Sequence, residues 1–144
     1  MTPEQIALVQ TSFERVAPNA EAVAALFYQR LFELDPAARG LFKGDMRGQG
    51  GKLMAMLAVV VRGLTRLDRI VPAIEALGQR HVAYGVQDSH YATVGSALLW
   101  TLEQGLGPDF TPETREAWTA AYTLLATTMQ QAAARAADVA QAAD

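Results

Sequence analysis

Leu77-Gly-Gln-Arg-His81-Val-Ala-Tyr-Gly85-Val-Gln-Asp-Ser-His-Tyr91-Ala-Thr-Val-Gly95 is the stretch on which the fold turns. Leading into it, Ile70, Ile74, Leu77 and His81 follow at steps of four, three and four. That spacing draws one stripe along an α-helix and ends it on an imidazole. Gly85 lets the chain leave the helix, because glycine takes a positive φ at little cost. Asp88 or Ser89 offers a capping oxygen to the next helix, expected to start near His90. The imidazole then has two readings. It is either a core histidine satisfied by a backbone carbonyl, or the single axial ligand of a flat, apolar metal cofactor.

Working outward, helical patterns fill the chain. Thr2-Pro3-Glu4-Gln5 has a hydroxyl cap, proline at the first helical position and glutamine where a capping box wants it. Ile6, Val9, Phe13 and Val16 make the stripe that follows, and Pro18 ends it. Asn19 is a candidate cap for a second helix carrying Val23, Leu26, Phe27, Arg30, Leu31 and Leu34. Asp35-Pro36 stops that helix and starts a short one through Phe42. Lys43 to Gly51, with Gly44, Gly48, Gly50 and Gly51, reads as a mobile loop running into a helix start.

Leu53, Met56, Leu57, Val60, Val61 and Leu64 form a broad apolar face, which implies burial against more than one neighbour. Asp68 is the expected cap of the helix carrying His81. Tyr91 to Leu106 buries Val94, Leu98 and Leu102 and closes at Gly107-Pro108. Thr111-Pro112-Glu113-Thr114 repeats the opening signal, and Trp118, Tyr122, Leu125 and Met129 follow on the last helix. The expected class is all-α, with seven or eight helical segments and no strand. One domain is expected over residues 1–132, with 133–144 an alanine-rich helix extension or tail that has little to bury.

Composition excludes several classes. A chain of 144 residues can bury a proper core. A net charge of −3 gives no electrostatic reason to expect nucleic acid or an anionic membrane. The absence of cysteine excludes disulfides, thiolate metal sites, a catalytic thiol and covalent Cys-linked haem. No signal-peptide pattern opens the chain, and the apolar run Leu53 to Val61 is too short to span a bilayer. A cytoplasmic protein is expected.

Other candidate sites are weak. Gly48-Gln-Gly-Gly-Lys52 fails the phosphate-loop pattern, since Leu53 stands where Ser or Thr must reach Mg²⁺ and Met46 where the first glycine belongs. Asp88-Ser89-His90 has the letters of a hydrolase triad, but adjacent side chains point apart. The two histidines, His81 and His90, are nine residues apart and fall on opposite sides of a helix, so they do not share a metal. Neither has an acidic residue at zinc-ligand spacing. Tyr28 lies beside an apolar face, and Gln49 shares a face with Leu53. Alone, Tyr28 reads as a core tyrosine with its hydroxyl at the rim and Gln49 as a solvated loop residue.

Together these residues resemble the globins, in particular bacterial single-domain haemoglobins and the globin domain of flavohaemoglobins, with neuroglobin-like proteins as further relatives. The resemblance runs from about Gln5 to Met129. It rests on Leu41-Phe42, Gln49-x-x-Lys52-Leu53, Leu77-Gly-x-Arg-His81 with Gly85-Val86, His90-Tyr91-x-x-Val94-Gly95, and Trp118-x-x-x-Tyr122. It implies a 3-over-3 helical sandwich around a non-covalent haem b. His81 would be the proximal iron ligand and Phe42 the ring wedged on the porphyrin. Tyr28 and Gln49 would be the distal pair, with Leu53 beside the gas ligand. Lys52 and Arg80 would pair with the propionates, and Leu77, Val86, Val94 and Leu98 would line the porphyrin.

The resemblance further implies binding of O₂, NO and CO, for storage, delivery or sensing. A phenol O–H and an amide N–H₂ suit a ligand that draws electron density in a dry pocket. Gln49 stands where neuroglobin-like proteins have a histidine, so an open or water-bound iron is expected. The alternative activity is nitric oxide dioxygenase, which would need a separate flavin- and NAD(P)H-dependent reductase. Tyr91 matches the proximal tyrosine of flavohaemoglobins. Their proximal glutamate falls at Ala133, with Gln130 and Gln131 nearby, so the push on iron is expected to be weaker.

Overall fold

A computed structural model describes residues 1–42 and 44–143. Lys43, the first residue of the expected glycine loop, lies outside the described residues, as does Asp144. Six α-helices follow in order: α1 (Pro3–Val16), α2 (Ala20–Leu34), α3 (Met46–Arg62), α4 (Leu67–Ala83), α5 (Asp88–Leu106) and α6 (Pro112–Ala143). Short 3-10 turns at Ala17–Asn19, Pro36–Leu41 and Gly107–Asp109 join them, and no strand occurs among the described residues.

The strongest end signals form as expected. Thr2 Oγ1 accepts from the Gln5 N–H at 3.1 Å, and Gln5 Oε1 accepts from the Thr2 N–H at 3.0 Å. Thr111 Oγ1 accepts from the Thr114 N–H at 3.2 Å ahead of α6. Other helix starts differ from expectation. Asn19 precedes α2, but its side chain makes no capping bond. The expected glycine loop is mostly helix: Asp45 Oδ1 accepts from the Arg47 N–H at 3.0 Å, and α3 begins at Met46. Each glycine costs a helix about 1 kcal/mol against alanine. Here the aspartate cap and the burial of Gly50 against Ala24 of α2 outweigh that cost.

Asp68 is not the cap of α4. Arg66 holds that position without a side-chain bond, and Asp68 lies inside the first turn, where its charge meets the positive helix end. Neither Asp88 nor Ser89 caps α5. Gln87 and His90 close a box of their own, the Gln87 N–H donating to His90 Nδ1 at 2.8 Å and the His90 N–H to the Gln87 backbone carbonyl at 3.0 Å. That box satisfies donors at both positions, which one short side chain cannot, so α5 starts at Asp88.

The helices cross in two layers, α1, α3 and α4 over α2, α5 and α6. α4 lies along α6, α2 runs against α5, and α1 also packs on α6. The α4–α6 approach is close because residue 78 is glycine. A Cβ there would fall 2.4 Å from the Met129 carbonyl oxygen. Val9, Phe13, Leu31, Leu102 and Trp118 anchor the core. The indole N–H of Trp118 donates to Ser12 Oγ at 2.8 Å, and Ser12 donates to the Leu8 carbonyl at 2.6 Å, so this indole and hydroxyl are both satisfied. α6 continues past the buried Ala132, and Arg135 on it pairs with Glu75 of α4. No helix among the described residues is long and apolar enough to cross a membrane.

This arrangement separates two helices that succeed each other in the chain. α3 leans on α2 and α4 on α6, while α3 and α4 make few contacts with one another. They meet chiefly at the turn, where Ile70 packs over Gly63.

Candidate functional site

His81 is held from both sides by its own helix end. Its Nδ1 lies 2.8 Å from the Leu77 carbonyl oxygen, one turn back. Its carbonyl accepts the Val86 N–H at 3.0 Å, and the Gly85 N–H bonds to the Val82 carbonyl at 3.0 Å. This Schellman ending needs a left-handed residue, and Gly85 supplies it with φ +86°. A carbonyl can only accept, so Nδ1 carries the proton and Nε2 keeps its lone pair. Burial holds the imidazole below the ordinary histidine range, the Arg80 charge adds to this, and the Leu77 bond opposes it. The backbone bond of the core-histidine reading is therefore present. It uses only one nitrogen and leaves the other available as a ligand atom.

Tyr28 lies on α2, 8% exposed, within an aromatic cluster. Its ring meets Phe27 and Phe42 edge-on at 5.1 and 5.3 Å and stacks on Phe32 at 6.1 Å. Its hydroxyl donates to the backbone carbonyl of Gln49 at 3.3 Å. Burial raises its pKa from 10.0 to about 12, so it remains a donor across the neutral range. The structure thus brings Tyr28, Phe42 and the first turn of α3 together, although 21 residues separate Tyr28 from Gln49.

The Pro36–Leu41 turn and Phe42 connect these two regions. Phe42 touches the Tyr28 ring, and a Cβ on Gly85 would meet Leu41 Cδ2 at 3.6 Å. The phenol on α2 and the imidazole on α4 therefore sit at the same end of the molecule. Phe42, Leu53, Leu77, Val86 and Val94 are each half-buried, while Leu98 is buried. Lys52 and Arg80 are exposed, and neither forms an ion pair among the described residues. Tyr91 is half-buried. Its carbonyl accepts the Tyr122 hydroxyl at 2.6 Å, and among the described residues no hydrogen bond joins it to His81. No group of three or more acidic, cysteine or histidine side chains could hold a bare metal ion among the described residues.

Two participants carry weaker sequence signals than these. Phe32 stacks on Tyr28 from one helical turn away, a relation visible in the i, i+4 spacing. Tyr84 stands 5.9 Å from the His81 ring and is 58% exposed. Its i+3 spacing from His81 is the corresponding signal.

The globin family model matches residues 25–129, which contain His81, Tyr28, Gln49 and Phe42. The chain belongs to the globin family. Among curated proteins, this globin is 33% identical over 129 residues to a flavohemoprotein of Rhodopirellula baltica, covering 88% of the chain and 32% of that protein. A flavohemoprotein of Vibrio cholerae is 32% identical over 130 residues, covering 88% and 33%. The chain thus spans about a third of the length of these relatives. Among solved structures, it superposes on an engineered carbene transferase from Rhodothermus marinus, whose parent is named as a nitric oxide dioxygenase. That match has TM-score 0.88 and 28% identity and covers 98% and 99% of the two chains. A bacterial globin from Campylobacter jejuni matches with TM-score 0.84 at 24% identity, over 95% and 99% of the chains, which shows the shared fold.

Membership of the globins implies haem, and the donor set of this globin fits it. One neutral imidazole offers a free nitrogen. Several half-buried apolar side chains on separated helices retain surface that no protein atom covers. A flat apolar group with one open axial position needs both features.

Proposed function

We propose that this globin binds O₂ reversibly at a haem b held by His81, with NO and CO as further ligands. The observation that carries this reading is the Tyr28 hydroxyl meeting the backbone of Gln49 at the same end of the molecule as the His81 imidazole. Haem iron, when bound, supplies the coordination position for a diatomic gas. The chain's own residues do the rest. His81 Nε2 is the nitrogen that holds the iron, and the Leu77 carbonyl fixes its ring orientation and tautomer. Tyr28, and the Gln49 amide from the first turn of α3, are donors toward the gas ligand. Phe42, Leu53, Leu77, Val86, Val94 and Leu98 contact the porphyrin and keep water out. Lys52 and Arg80, exposed and without ion partners among the described residues, pair with the propionates. Tyr91 supports the proximal side through its link to Tyr122.

A second reading is nitric oxide dioxygenation, favoured by the 28% identity to a structure whose parent is named for that activity. The balance is NO + O₂ + e⁻ giving nitrate, so each turnover draws one electron from a donor. That donor would be a separate flavin- and NAD(P)H-dependent reductase, and the proposal places the protein in the cytoplasm with it.

The test is haemin titration followed by gas binding. A Soret band should grow to one equivalent, and His81→Gly should lose it until free imidazole is added. Haemin that leaves the spectrum and the melting temperature unchanged would refute the reading. Stopped-flow mixing of the oxygenated protein with NO then separates the two functions. Stoichiometric loss without turnover, even with reductase and NADH, favours binding.

A further inference from the structure

The two histidines stand in opposite hydrogen-bonding states. The group beside His81 Nδ1 is a carbonyl, which accepts, whereas the group beside His90 Nδ1 is the Gln87 N–H, which donates at 2.8 Å. Nδ1 of His90 therefore offers its lone pair, and the neutral ring carries its proton on Nε2. That Nε2 faces Asp35 Oδ2 across 3.8 Å, within ion-pairing range but too far for a hydrogen bond. Both side chains are mostly covered, at 21% and 26% exposure. Asp35 ends α2 and opens the Pro36–Leu41 turn, yet its carboxylate makes no capping bond there. Among the described residues, Asp35 is the charged group in ion-pairing range of His90. Arg39 of the following turn lies over the Phe32 ring at 5.5 Å, and Asp88 on α5 acts on Tyr91.

A second proton on this ring changes both contacts at once. Nδ1 is the nitrogen left to take it, and an N–H there would point at the Gln87 N–H. The ring also becomes a cation in the first turn of α5, where the positive helix end disfavours it. The Asp35 carboxylate, in contrast, attracts it. Once released from Gln87, the ring can close on Asp35, because charge-assisted N–H···O bonds settle at about 2.7–2.9 Å. Histidine is the side chain whose ordinary range puts such a change between about pH 5 and 8.

We infer that His90 is a positioning residue which acid switches from the start of α5 to the end of α2. Neutral, it holds the Gln87 N–H and so fixes the short link from Gly85 to α5. Charged, it leaves that link and ties itself to Asp35, at the head of the turn that ends on Phe42. The link matters because the Val86 N–H within it bonds to the His81 carbonyl at 3.0 Å. Loosening it reaches the helix end that holds the imidazole. The consequence for haem rests on the haem reading above, whereas the switch between Gln87 and Asp35 does not.

The test is nitrogen-15 NMR of the chain as purified, before and after haemin and CO are added. Neutral His90 should carry its proton on Nε2, and the Gln87 amide resonance should move with the His90 titration. Asp35→Asn, which removes the second partner, should let the Gln87 amide keep its bonded position to lower pH. A neutral His90 protonated on Nδ1, or a Gln87 amide indifferent to the titration, overturns the switch whatever haemin does. The second arm is haem loss to apomyoglobin at about pH 8 and about pH 5.5. His90→Gln keeps an acceptor for Gln87 but cannot gain the proton. Acid should speed haem loss about fivefold more in the unmodified chain than in His90→Gln, the scale of one lost cap bond. Equal acceleration in the two, with the NMR switch present, overturns the link to His81.

Discussion

Replacing Tyr28 by phenylalanine removes one oxygen and keeps the ring that packs on Phe27, Phe32 and Phe42. The aromatic cluster, and with it the fold, should survive. What changes is the donor. A hydrogen bond to a charged partner contributes about 1.5–3 kcal/mol net, against about 0.5–1.5 for a neutral one. To serve a gas ligand, the hydroxyl must give up the Gln49 carbonyl, and that bond is long at 3.3 Å, so it belongs at the low end. The difference is about 1–2.5 kcal/mol, or roughly a five- to seventy-fold change in affinity. We expect Tyr28→Phe to raise the O₂ dissociation rate by about tenfold, measured by stopped-flow displacement with CO. The CO dissociation rate should change by less than about threefold, because CO draws little charge from iron and gains little from a donor. An O₂ rate within twofold of the unmodified protein would refute the assignment of Tyr28 as a donor to the ligand.

Ser12→Ala leaves the buried Trp118 N–H without its partner. It should cost about 1–3 kcal/mol in urea unfolding, the usual cost of one orphaned buried donor. Gly78→Ala drives a methyl group against the Met129 backbone. Since backbone cannot rotate away, it should destabilise by about 3 kcal/mol, at the upper end of overpacking costs, and haem retention in an apomyoglobin-capture assay should fall with it. Tyr28, raised by burial from 10.0 to about 12, stabilises the fold while its hydroxyl stays protonated. Its contribution is fully present below pH 10 and falls by about 1.4 kcal/mol per pH unit from there up to pH 12, because the folded chain holds a proton that the unfolded chain has lost. Tyr28→Phe should flatten that part of the alkaline stability profile in thermal melts. Tyr122, also raised by burial and by Tyr91, keeps the rest.

Much of the molecule is legible in the residues taken in order. Local signals act over one helical turn, so the Thr2–Gln5 box, the Asp35-Pro36 stop, the Gly85 exit and the Thr111 cap can be read directly. The stripe ending on His81 is visible for the same reason, and so is its bond to Leu77, a partner four residues away. The helix starts that differ from expectation fall where two local signals compete. At α3, glycine content argues for a loop, yet the packing of Gly50 under Ala24 on the preceding helix carries α3 through.

Tertiary structure alone decides what comes together across the chain. Nothing in the sequence spacing puts the Tyr28 hydroxyl on Gln49, or Leu41 beside Gly85. Those contacts depend on how α2 lies on α3 and where the Pro36–Leu41 turn ends. The same holds for the Trp118 N–H on Ser12, which come together only after α1 and α6 cross. Periodicity shows which face of a helix is apolar. Which other face covers it is set by the crossing of whole helices.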